Sequence, residues 1–210
     1  MTRSEAVKVV QARLGGRYDT RTQTMIETEL LTQQEYLETR VFLPWFLFQE
    51  AQVNSVIGES DIPVPEDFLR EYAEDINVPA FWYQNAAGKW LPVPKKMVMD
   101  VYFLEGETGP PRAYSLFGGV IRLWPVPDAV YPCRLYYFRK DNKLTSDFEN
   151  DWLKHASSLL CARAGEAVAV NLRDKDAVAF FQGKVQEAEM ELLRVHLARQ
   201  DANLYVENGA

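Results

Sequence analysis

The chain is poor in the residues from which most catalytic and metal centres are built, with only two cysteines and two histidines in 210 residues. Cys133 and Cys161 fall in different neighbourhoods and show no ligand spacing, which excludes a disulfide framework and a zinc pattern and leaves two buried free thiols. His155 and His196 lie on separate predicted helices, without the i, i+4 placement of a zinc pair. His155 and Cys161 share one predicted helix but stand roughly 9 Å apart along its axis. A thiol–imidazole nucleophile needs direct hydrogen-bond reach, so none is expected. The glycine stretches GETGPPR and FGGV do not lead from a strand into a helix bearing Lys-Ser/Thr; they read as turns, not phosphate cradles. The sequence therefore predicts no catalytic residue, no metal and no cofactor, and a protein that is not an enzyme.

An excess of positive charge is also missing. Lys and Arg number 23 against 30 Asp and Glu, for a net charge of -7. That argues against gripping nucleic acid as the main task, yet it suits a surface past which DNA slides, because like charge repels the phosphates. No apolar run approaches the roughly 18 residues of a membrane span. The opening MTRSEAVKVVQARLGG carries charges within its apolar stretch and does not read as a secretory leader. The expected location is the cytosol of the cell that makes the chain, or a particle assembled there, with no membrane partner.

What the sequence does hold is apolar and aromatic material, 47% and 12% of the residues, enough for one large core or two small ones. Thr2 and Glu5 have the spacing of a capping box; Ala6, Val9, Val10 and Leu14 follow at helical intervals until Gly15-Gly16. Asp19 or Thr20 can cap a second helix, in which Ile26, Leu30 and Leu37 form a stripe among polar residues that include Gln33, Gln34 and Glu38. This helix should stop before Pro44.

From Trp45 the pattern becomes short apolar runs between breakers, and nine of the eleven prolines lie between Pro63 and Pro127, a density that suits edge strands and turns. QNAAGKW and FGGV mark hairpin connections. KKMVMDVYFL has no breaker and is expected as a short helix. After DNKLTSDFEN, Asn150 caps a helix in which Trp152, Leu153, Ala156, Leu159, Leu160, Ala164 and Val168 leave almost no polar face, so it should be buried. Asp174 caps the last helix, along which Ala177, Phe181, Val185, Ala188, Leu192 and Val195 recur. From Asp201 the period is lost and an extended tail is expected.

The fold expected is α+β: a discontinuous helical bundle of residues 1–43 and 145–210, with residues 44–144 inserted as a small antiparallel β body. The acidic run Glu66, Asp67, Glu71, Glu74 and Asp75 reads as a solvated face and not a hydrolase pair. Tyr136, Tyr137 and Phe138 read as strand core rather than a platform for bases. The aromatic content of the β body exceeds what its own core should need, which points to aromatic contacts between subunits.

Taken in order, LPWFLFQE, VPEDFLREY, GPPRAYSLFGGVIRLWPVPD, RLYYFRK, FENDWL and LLCARAGEAVAV resemble the head-to-tail adaptor proteins of tailed phages, of the kind docked under the portal in short-tailed phages. The resemblance runs over nearly the whole chain, on turn and core residues. It implies a twelve-membered homo-oligomeric ring in the virion neck, joined to the portal protein on one side and to a tail or nozzle protein on the other. Double-stranded DNA would pass through its lumen without specific binding. Helices would face the portal, and the change of pattern at residues 140–150 would mark a hinge line. Leu204, Tyr205 and Val206, apolar residues near the chain end, are the expected portal anchor. Another neck or tail component, or a small cytosolic enzyme with an unrecognised site, are the competing readings.

Overall fold

A computed structural model describes residues 1–40, 42–72, 79–102 and 106–207. The fold is α+β, with helices at both ends of the chain and strands in its middle. The chain forms two compact units, Met1–Leu47 with Asp141–Ala210, and Phe48–Lys140.

In the helical unit, α1 (Arg3–Arg13) starts at the capping box, with the Thr2 hydroxyl accepting from the Glu5 N–H and the Glu5 carboxylate accepting from the Thr2 N–H. It buries Ala6, Val7, Val10 and Gln11, so Val7 takes the place expected for Val9. Helix α2 (Thr20–Glu38) is capped by Asp19, whose carboxylate accepts from the Thr22 N–H at 2.9 Å. Ile26, Leu30 and Leu37 face inward as expected, but so does Gln34, which is 1% exposed. After Pro44 a single 3₁₀ turn, Trp45–Leu47, sets Phe46 edge-on against Trp152 at 5.1 Å.

The helix expected after Asn150 is two helices. Asn150 caps α4 (Asp151–His155), the backbone breaks at Ala156 (φ -136°, ψ 31°), and α5 (Ser157–Asn171) follows. Trp152 and Leu153 are buried, and so are Leu159, Leu160, Cys161, Ala162 and Ala164. At about 100° per residue Trp152, Leu153, Leu159 and Leu160 would share one face of a straight helix as well, so the break is not what buries them. Helix α5 then packs against α1, α2 and the final helix α6 (Lys175–Glu207). At Gly165 it lies against α6, where a Cβ would clash with three atoms of the Phe181 ring. Asp174 accepts from the Ala177 N–H at 3.1 Å and starts α6, as expected.

The extended tail expected from Asp201 is not found, because α6 runs on to Glu207. Loss of an apolar period removes a reason to pack but leaves the backbone ladder intact. Ala, Leu and Glu are good helix formers, and the first glycine comes at position 209.

The second unit is antiparallel throughout its strands. In chain order these are β1 (Phe48–Asn54), β2 (Asp61–Pro63), β3 (Phe68–Glu71), β4 (Phe81–Gln84) and β5 (Trp90–Val93), then α3 (Val98–Tyr102), β6 (Ala113–Phe117), β7 (Val120–Trp124) and β8 (Pro132–Arg139). One sheet has the order β1-β8-β4-β5, with β3 also on β8; the other has the order β2-β7-β6. Between them Phe81, Tyr114, Ile121, Leu123 and Leu135 form a core exposed by no more than 2% at any position. The hairpin β6–β7 turns on Gly118 (φ 62°) and Gly119 (φ 80°), a pair of left-handed positions that only glycine fills without strain.

Candidate functional site

The residues weighed for chemistry are spent on structure. Cys133 is fully buried; its thiol, 3.3 Å from the Tyr131 carbonyl, is pushed up to about 12 by burial. Cys161 is buried on α5 and pushed up to about 11 for the same reason. Thiols held so far above neutrality supply no thiolate nucleophile. His155 and Cys161 lie on different helices, either side of the break at Ala156. Among the described residues there is no group of three or more His, Cys, Asp or Glu able to hold a metal.

Both histidines neighbour Trp45, a meeting that nothing in the sequence signals. His155, from α4, stacks on Phe46 with ring centroids 5.3 Å apart, and also lies beside Trp45. His196, from α6, accepts through Nδ1 the hydrogen bond donated by the Trp45 N–H, at 3.1 Å. It is 6% exposed and orders the 3₁₀ turn. Its place at the four-residue step after Leu192 on the buried face of α6 is the signal that would have found it. Partial desolvation lowers the pKa of His155, and the charges of Lys154 and Arg199 add to that. Arg199 lies over the Trp45 ring at 4.6 Å. Beside this cluster a cavity of about 510 Å³ is lined by Arg13, Lys154, His155, Lys184 and Arg199 among others.

A second constellation is buried and polar. Glu38 Oε1 accepts from Gln34 Nε2 at 3.1 Å, from the Asp141 N–H at 3.2 Å and from Trp152 Nε1 at 3.2 Å. Asp141 Oδ2 accepts from the Trp152 N–H at 3.1 Å. Asn150 Nδ2 donates to Gln34 Oε1 and to the Asn142 carbonyl. Burial pushes the Glu38 carboxyl above its ordinary value, against these three donors and with the help of Asp141. From Asp141 onward the stretch expected as a hinge line is thus laced to α2 and α4. It is also tied to α1: the Arg3 N–H donates to the Phe148 carbonyl and the Ser4 N–H to Asp147. A buried, hydrogen-bonded set of this kind rigidifies the chain and does not by itself suggest turnover.

In the strand unit, two members of the acidic run, Asp67 and Glu71, are engaged with partners rather than solvated. Asp67 accepts from the Tyr137 hydroxyl at 2.8 Å; Glu71 accepts from Tyr114 at 3.0 Å and pairs with Lys95. Glu66 is exposed, and Glu74 and Asp75 lie outside the described residues. Tyr137 and Phe138 are strand core, and Tyr136 stacks on Phe48 at 6.0 Å. The aromatic surplus is largely absorbed inside the unit; Phe117 at 69% and Phe48 at 40% are its strongly exposed rings.

In the helical unit, apolar surface is exposed on α6 and after α2. Met190, Leu193 and Leu197 are 67%, 44% and 49% exposed, and Phe42 is 38% exposed. Between Phe42 and Leu193 runs a groove of about 240 Å³ floored by Leu37, Trp152 and Leu159. The backbone of Leu204, Tyr205 and Val206 belongs to α6.

Compared with known families, residues 1–208 match the model of the SU10 adaptor protein family. No curated protein matches the chain.

Proposed function

Because the chain belongs to the SU10 adaptor family, we propose that it is a structural subunit of a phage neck, a head-to-tail adaptor that joins the portal to the tail. The match over residues 1–208 carries this reading. In it twelve copies form a ring under the portal, and double-stranded DNA passes through the lumen unbound. Two features support it. A subunit wedged between two different rings needs two surfaces of different character, and this chain folds as one helical and one strand unit. Twelve copies at -7 each also make an electronegative neck, which repels phosphate and lets DNA slide.

Within the same proposal, Leu204, Tyr205 and Val206 anchor the ring to the portal. Helix α6, Lys175–Glu207, spans roughly 50 Å at 1.5 Å per residue, and it carries the three residues to its far end. Deleting residues 202–210 should leave the melting temperature unchanged while abolishing retention on DNA-filled heads. If the truncated chain joins heads and retains DNA at the wild-type level, these residues are not the anchor, and the outer face of α2 from Ile26 to Leu37 is tested next.

A further inference from the structure

Helix α6 has two apolar seams, and only one of them is used within the chain. The inner seam, Phe181, Val185, Leu192 and His196, is buried. At about 100° per residue, Gly183, Gln186, Met190, Leu193 and Leu197 recur at three- and four-residue steps on the opposite face. Its three large side chains, Met190, Leu193 and Leu197, are each 44% or more exposed.

We propose that the free chain covers this face with a second copy of itself, α6 against α6, antiparallel about a two-fold axis between Glu191 and Leu192. In an antiparallel pair each a position faces a d position, and this one register satisfies the whole seam. Met190 meets the partner's Leu193, and Gln186 meets the partner's Leu197. Charge selects the same register. Glu187 comes beside the partner's Arg194 and, by symmetry, Arg194 beside the partner's Glu187. Neither has to abandon its own chain, since Lys184 holds Glu187 at 2.6 Å and Glu191 holds Arg194 at 2.7 Å, so opposite charges alternate across the pair.

Gln186 and Gly183 thin the seam, which makes the pair weak and reversible. A two-fold pair is closed and cannot grow into a ring. It is therefore a state of the unassembled chain, independent of the neck reading, that shields an apolar face until another contact displaces it.

Sedimentation equilibrium on the full chain, from roughly 5 to 200 μM, should show a monomer–dimer equilibrium. Leu193→Glu should abolish the dimer. Arg194→Glu should raise the dissociation constant about tenfold, and Glu187→Arg with Arg194→Glu should bring it back to within about threefold. Helical circular dichroism, unchanged in all three, separates loss of pairing from loss of fold. A chain monomeric throughout, a dimer indifferent to Leu193→Glu, a charge swap that fails to restore pairing, or a larger species removed by Leu193→Glu would each overturn the proposal.

Discussion

Two glycines, one on each of two packed helices, test the core of the helical unit. Gly165 on α5 faces Phe181, and a Cβ built there would meet three atoms of the ring at less than the closest approach real Cβ atoms show; Gly183 on α6 has nothing within 4 Å. Gly→Ala in a helix interior stabilises by about 0.5–1 kcal/mol through backbone entropy alone. Gly183→Ala should show that gain undiminished. At Gly165 the same gain is opposed by overpacking, typically about 1–3 kcal/mol, and the ring cannot retreat because Phe181 is 0% exposed. Gly165→Ala should therefore destabilise by about 1–2 kcal/mol net. The two substitutions, chemically identical, should differ in sign. Urea unfolding followed by far-ultraviolet circular dichroism reads the helical unit and checks both values, at protein concentrations low enough to keep the chain monomeric. Adding Phe181→Leu to Gly165→Ala makes the room the methyl needs, so the double variant should be more stable than the sum of the single changes by about 1 kcal/mol or more. If Gly165→Ala stabilises as Gly183→Ala does, α5 and α6 do not meet at this point, and the account of the bundle is wrong.

Three further outcomes follow from the same unit. Trp152→Ala or Leu160→Ala should cost about 3–4 kcal/mol, the usual range for a buried cavity, and a loss below about 1 kcal/mol would show that the segment is not buried. Trp152→Phe keeps the ring but removes the donor to Glu38, and should cost about 1.5–3 kcal/mol in the same unfolding assay. Glu38 has a folded pKa raised above the unfolded value, so the folded state holds its proton more tightly. Its contribution is unfavourable above the folded pKa and disappears as pH falls toward the ordinary glutamate range. Glu38→Gln should accordingly stabilise at neutral pH and lose that advantage near pH 4; an advantage independent of pH would show that charge is not its source.

Much of the fold was legible because it depends on local chemistry. The Thr2–Glu5 box, the Asp19, Asn150 and Asp174 caps, the Gly118-Gly119 hairpin and the inner stripe of α6 all appear where side-chain type and spacing placed them. The errors share another cause. Gln34 reads as a surface glutamine in a polar helix, and nothing within a few residues of it reveals that Asp141, Asn142 and Asn150 come to meet it from more than a hundred positions away. The break at Ala156 is equally silent in composition, since Ala and Ser are tolerated in a helix interior. The four-residue step from Leu192 marks His196 as inward, but its partner, the Trp45 backbone N–H, leaves no mark in the sequence.

The same distinction explains why function was more legible as a class than as a site. A catalytic or metal centre often announces itself through scarce residues in fixed spacing, a signal that local sequence can carry. An adaptor works through surfaces, and whether an apolar residue belongs to a surface or a core depends on which face of its element is covered. Met190, Leu193 and Leu197 illustrate this: they alternate with Leu192 and His196 along a single helix, and composition cannot tell the two sets apart. Only when Phe181, Val185, Leu192 and His196 are seen buried does the second seam stand out as one the chain leaves open. An open seam on α6 is what a subunit needs if its contacts are to be completed by other chains, and it is why the predictions about assembly rest on that helix while those about stability rest mainly on the buried faces of α2, α4 and α5.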